Sequence, residues 1–216
     1  MLAGAGVIDG NVTNQGTVNP GTPGDLGSLT INGNYTQGPS GQLTIDVGSP
    51  EDFDQLIVNG TADFAGTLVV VPLNPPFEFG QKLPGFLTAD SVQGAFDSIL
   101  LPAGFRGRVI DDEGMLSLLI APASYTQVAQ SPNQLRTAEA LDEWIGIETG
   151  DIGVITLALD ELTAAQYPAA FEAIGPGFYS SLLTISIEQS QARGQVVTQQ
   201  LGASRLADRP AVRSRC

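Results

Sequence analysis

The chain has 216 residues, 42% of them hydrophobic and only 15% charged, with 23 acidic residues against nine basic ones and a formal net charge of −14. That apolar fraction can fill the core of one large domain or two small ones, and the acidic excess excludes the counterion release that holds proteins on nucleic acid or anionic lipid. With no histidine and one cysteine, Cys216 at the last position, Ser-His-Asp and Cys-His catalysis, histidine metal sites and internal disulfides are all excluded.

The start, MLAGAGVIDG, has neither the basic segment nor the apolar stretch of a secretory signal, and no run of about 18 apolar residues occurs. Neither a signal peptide nor a membrane-spanning helix is expected. A repeat follows at once. IDGNVT (8–13), INGNYT (31–36) and VNGTAD (58–63) align at spacings of 23 and 27 residues, in the range of solenoid coils. Around them lie short strands at 29–31, 43–47, 56–58 and 67–71. In 43–47, alternation sends Leu43, Ile45 and Val47 to one face and Thr44 and Asp46 to the other. The turns NGN, GPSG and NGT supply Gly and Asn for tight backbone, which accounts for much of the 26-residue glycine count. Asn11, Asn34 and Asn59 also read N-x-T, formally glycan acceptors, but they occupy the turn positions of the repeat.

From about residue 77 the strand pattern continues less regularly and ends in a hairpin, 108–110 returning as 115–120 around Asp-Asp-Glu-Gly. It is expected to lie across the end of the coils and cover their open edges. The period then changes. Ser131-Pro132-Asn133-Gln134 opens a helix with a capping hydroxyl, an early proline and a reciprocal glutamine, followed by an apolar stripe of Leu135, Ala138, Leu141, Trp144 and Ile145. A second helix starts near Asp151 with Ile152, Ile155, Leu159 and Leu162 on one side. Thr163 to Gln166 opens a third, carrying Tyr167, Ala170, Phe171 and Ile174, which Gly175-Pro176-Gly177 ends. A fourth, long helix is expected over 178–206.

Candidate chemistry is sparse. No phosphate-binding glycine motif occurs. Glu51, Asp52 and Asp54, and the cluster Asp111, Asp112 and Glu113, have the residue types of a calcium site or a glycosidase carboxylate pair. Both fall in predicted turns without calcium-loop spacing, and are read as solvated. Arg106 and Arg108 beside the second cluster could take a base or anion-binding part in a polysaccharide-cleaving enzyme; a surface ion pair is the plainer reading. Phe53, Phe64, Phe96, Trp144 and Phe171 fall on apolar stripes and are assigned to the core. No catalytic, cofactor-binding or metal-ligating residue is assigned.

The succession of parts resembles the C-terminal passenger region of a bacterial autotransporter, the type V secretion family. GSLTINGNYTQGPSGQLTIDVGSPEDFDQLIVNGTADFAGTLVVV (27–71) is similar to the passenger-associated transport repeat of that family. SPNQLRTAEALDEWI and GDIGVITLALDELTAAQYPAAFEAIGPGFYSSL resemble its helical connector to an outer-membrane barrel. The tail DRPAVRSRC is unlike a first barrel strand, so the chain is expected to be a fragment that lacks the barrel.

The resemblance and the patterning together give the expected fold: mainly β with an α-helical C-terminal part, a right-handed parallel β-helix (solenoid) capped by a β-hairpin and followed by about four helices. The expected division is a stem over 1–121, a linker over 122–132, a helical connector over 133–208 and a tail over 209–216. The resemblance implies a non-catalytic structural module that templates vectorial folding and assists outer-membrane secretion. Its partners would be a β-barrel translocator and upstream passenger coils, with self-association through the open N-terminal coil and no nucleic acid. It would act at the cell surface or outer membrane, or be secreted. A surface adhesin stem is the alternative function, and a β-helix polysaccharide-processing enzyme the more distant one.

Overall fold

Runs in which apolar and polar side chains alternate, separated by Gly, Asn and Pro, form strands because each can bury one face and end in a tight turn. In the computed structural model, which describes residues 1–73, 77–147 and 149–175, Met1–Phe171 is one compact unit. The strands in chain order are β1 (Leu2–Ala3), β2 (Gly6–Asp9), β3 (Val12–Asn14), β4 (Thr17–Asn19), β5 (Ser28–Asn32), β6 (Tyr35–Gln37) and β7 (Gln42–Ser49). They continue as β8 (Asp52–Phe53), β9 (Gln55–Phe64), β10 (Thr67–Pro72), β11 (Lys82–Gly94), β12 (Ser98–Leu100), β13 (Phe105–Asp112) and β14 (Met115–Pro122). A 3-10 turn at Tyr125–Val128 leads to α1 (Pro132–Asp142), α2 (Gly150–Asp160) and α3 (Tyr167–Ile174).

One sheet runs β1-β4-β7-β10-β12 with every pair on that path parallel, and the short β8 folds back against β7. The other is mixed and runs β13-β14-β11-β9-β5-β2, with β6 beside β9 and β3 beside β6. The repeat segments are neighbours in register: Ile8 pairs with Ile31 and Ile31 with Val58, while Leu43 pairs with Leu68 and Leu68 with Ile99. Both sheets feed one core. Ile31, Leu56, Leu87 and Leu118 come from the mixed sheet and Leu43, Ile45, Leu68 and Val70 from the parallel one, all nearly inaccessible to solvent.

This arrangement corrects the expected solenoid. The chain forms two sheets, one parallel and one mixed, and a right-handed parallel β-helix is not indicated. The cause of the mixed sheet is β14, which runs antiparallel to both β11 and β13. The hairpin read from the sequence is present as β13–β14, but β14 lies within the sheet, between β11 and β13, instead of across an end. All its residues after Met115 are buried. The expected count of about four helices is also corrected: the described residues contain three short α-helices, and the stretch 178–206 lies outside them. No helix among the described residues is long and apolar enough to cross a membrane.

The α1 start follows its sequence signal: Ser131 Oγ accepts from Gln134 N at 3.3 Å, and Gln134 Oε1 accepts from Gln130 N at 2.8 Å. Its buried face is Gln134, Thr137, Ala138 and Leu141, while Leu135 of the expected stripe is 40% exposed. In α2 the departure is larger. Gly153, Thr156, Leu159 and Asp160 face inward, and Val154 and Ile155 are 69% and 39% exposed. A second, smaller core joins Tyr125, Ala138, Leu141, Leu159, Tyr167 and Phe171.

Where neighbouring turns meet, backbone approaches backbone. Gly66 has φ +69°, and a Cβ there would lie 2.4 Å from Gly41 O and 2.7 Å from Gly38 O. Gly66→Ala therefore combines left-handed strain with a backbone clash, and should cost about 2–3 kcal/mol in urea or thermal unfolding. A loss under about 0.5 kcal/mol would show that these turns are not in contact.

Candidate functional site

A buried polar cluster joins β13 to α2. Asp160, fully buried, accepts from both terminal nitrogens of Arg106, Nη1 at 2.9 Å and Nη2 more closely. Tyr125 Oη donates to Asp160 Oδ1 at 2.7 Å and accepts from Arg106 Nη2 at 2.9 Å. The guanidinium carbon lies 5.3 Å from the Tyr125 ring centroid. Arg108 approaches from the same strand two residues on: its Nη1 is 3.6 Å from Asp160 Oδ2 and 3.2 Å from Thr156 Oγ1. Alternation along β13 puts both arginines on one side, and the helical spacing of Thr156 and Asp160 puts both acceptors on one face of α2. Burial alone would pull the Arg106 pKa down, but the Asp160 carboxylate more than offsets it and the net direction is upward. Burial pushes the Tyr125 and Tyr167 hydroxyls well above the ordinary tyrosine range, and the Asp160 charge adds to this. All three groups are thereby held in their resting protonation states, which suits a clamp and not a proton carrier.

A second cluster straps the loop between β4 and β5. Asp46 lies within β7 and Asp54 between β8 and β9, and they are 2% and 0% exposed. Asp46 Oδ2 accepts from Gly24 N at 2.8 Å, Asp54 Oδ1 from Gly27 N at 2.8 Å, and Asp54 Oδ2 from Asp46 N at 3.0 Å. Their partners are backbone amides, with no cation among the described residues. Burial raises the Asp54 pKa to about 6, helped by the Asp46 charge and opposed by the amide donors.

Of the residues singled out in the sequence, Glu51 and Asp52 are exposed as expected, whereas Asp54 is not. Asp111 accepts from Gly114 N at 2.9 Å, and Glu113, with φ 52°, makes the hairpin turn. Arg106 and Arg108 turn away from that cluster to Asp160, which the sequence reading placed nowhere. Its signal was available: an acid at the end of an otherwise apolar helix, four residues after a threonine. Phe53, Phe64 and Phe171 are buried, and Phe96 and Trp144 are packed against the two cores. The N-x-T asparagines serve the turns: Asn11 Oδ1 accepts from Asn34 N and Asn34 Oδ1 from Thr61 N, while Asn59 Nδ2 donates to Asn32.

No group of three or more metal-ligating side chains occurs among the described residues. A groove of about 390 Å³ lies between residues 47–50, 77–82 and Thr163, walled by Phe77 and Phe79 with Glu78 and Lys82 at its side. No model of a known protein family matches the chain, and no match was found among curated proteins.

Asp160→Asn leaves two cations facing a neutral amide in a buried site, and should lower stability by about 3–5 kcal/mol in denaturant unfolding. Replacing Arg106 and Asp160 together by leucines should recover much of that loss. The Asp54 pKa predicts a pH dependence of definite sign. Between the unfolded value of 3.8 and the folded value of about 6, the folded chain holds the Asp54 proton more tightly. That contribution to stability is full below the window and lost as pH rises through it, on the order of 3 kcal/mol in all. Unfolding curves across this range should show that slope in the native chain and lose it in Asp54→Asn.

Proposed function

We propose that the chain is a non-catalytic structural module of an autotransporter passenger, which templates directional folding and so assists secretion across an outer membrane. The observation that carries this reading is the unequal finish of the mixed sheet. On one side the end strand β13 covers the buried β14 and is itself held to α2 by the Arg106–Asp160 ion pair. On the other, β2 has an unpaired edge among the described residues, and Val7 is 64% exposed. A sheet with one end strand tied to a helix and the other exposed is the better template for a new strand at its exposed end.

Parallel neighbours 16 to 31 residues apart cannot form as local hairpins, so each strand needs its partner in place before its loop-closing entropy is offset. Residues 82–122 would fold first and present β11 to β9; β9 would present itself to β5, and β5 to β2. The partners of the module are accordingly a β-barrel translocator and further passenger segments, with self-association through the β2 edge when those are missing. Its place is the outer membrane or cell surface. A second reading, a surface adhesin stem, is favoured by the aromatic groove at Phe77 and Phe79.

Pulsed hydrogen exchange during refolding tests the order. Amides of β11, β13 and β14 should gain protection before those of β2 and β5; simultaneous or reversed protection would overturn the mechanism. Placed ahead of an outer-membrane barrel, the chain with Leu118→Asp should show several-fold less surface display than with Val7→Thr.

A further inference from the structure

The glycines of the repeat are fixed before any side chain is chosen. A Cβ on Gly33 would lie 2.6 Å from Gly10 O, and one on Gly60 would lie 2.7 Å from Gly33 O. Only glycine fits where these backbones meet. The residues directly ahead of them are Asn32 and Asn59, both exposed, as Asp9 is ahead of Gly10. Their side chains form a ladder with a direction: Asn59 Nδ2 donates to Asn32 Oδ1 at 2.8 Å, and Asn32 Nδ2 donates to Asp9 Oδ1 at 2.6 Å. Each amide donates toward the chain start, and the last place is a carboxylate, which only accepts.

We propose that Asn32 and Asn59 are sites of spontaneous deamidation, and that conversion at Asn32 releases the β2 edge. The main-chain nitrogen of the following glycine attacks the asparagine Cγ. A C–N bond forms, the side-chain nitrogen leaves as ammonia, and water then opens the cyclic imide to aspartate or isoaspartate. A glycine leaves the path of attack clear, so the backbone contact that demands Gly33 and Gly60 also creates the most reactive asparagine context.

The ladder both guards these amides and makes their loss costly. In the folded chain each side chain is held by its neighbours, and attack has to wait for local opening. After conversion at Asn32, a carboxylate oxygen faces Asp9 where an N–H stood, and like charges directly opposite across strands repel. At Asn59 the new carboxylate faces Asn32 Oδ1; rotating the Asn32 amide to donate to it turns an oxygen toward Asp9. The ladder therefore accommodates one carboxylate, at its end. The chain carries its own controls in Asn11 and Asn34, which precede Val12 and Tyr35.

Peptide mapping of the intact chain held at mildly alkaline pH, folded and in denaturant, tests this. In denaturant, Asn32 and Asn59 should convert roughly tenfold faster than Asn34. In the folded chain both should slow, and Asp9→Ala should speed Asn32 several-fold. Asn32→Asp should raise amide exchange in β2 by roughly tenfold; should that variant not fold, the Asp9→Ala comparison on otherwise native chain still decides. Equal rates at Asn32, Asn59 and Asn34 in denaturant, or an Asn32 rate indifferent to Asp9→Ala, would overturn the proposal.

Discussion

Close approach between backbones 23 to 31 residues apart in the chain is the constraint on which the rest of the molecule depends. Parallel strands sit about 4.8 Å from one another, so whatever occupies one position must tolerate its equivalent at that distance. At the turns this leaves room for glycine alone: Gly66 lies against Gly41, and Gly94 has φ +69° with its missing Cβ 2.3 Å from Phe64 O. Along the strands it favours apolar pairs inside and short amides outside. A like-charge pair at such spacing would repel, which gives the low share of charged residues a structural reason.

The same closeness obliges buried polar groups to satisfy one another. Asn14 Nδ2 donates to Tyr35 Oη and to Gln37 Oε1, each at 3.1 Å, and Gln37 Nε2 donates to Ala65 O at 2.8 Å. One network thus ties β3, β6 and the turn after β9 together. Asp46 and Asp54 do similar work with carboxylates. Because their partners are amides of the 20–27 loop, they fix a segment that has little regular structure of its own.

What could be read from the sequence is what depends on near neighbours. The alternation at Leu43, Ile45 and Val47, the Ser131 cap and the turn at Asp111 to Gly114 each report local geometry, and each appears in the structure. Choices among distant partners were not legible. Nothing in the wording of 115–122 says that β14 pairs with β11 as well as β13, and that one pairing turns an expected cap into an inner strand and makes its sheet mixed. Most of the expected helix stripes are buried or packed on the second core, but part of the α2 face was misread for a related reason. Apolar spacing put Ile152 and Ile155 inward, whereas Thr156 and Asp160 are drawn in by arginines some 50 residues away. Asp46 was assigned to the wet side of its strand because alternation carries no information about a loop laid over that side.

The α2 helix consequently turns a mixed face inward, its hydroxyl and acid beside Leu159, and leaves Val154 and Ile155 toward water. Its roll about its own axis is set jointly by the ion pair and by Leu159 in the second core. Were both cations on β13 exchanged for neutral chains, Leu159 would still anchor the same eleven residues, and Asp160 would be left as an acid stranded in oil.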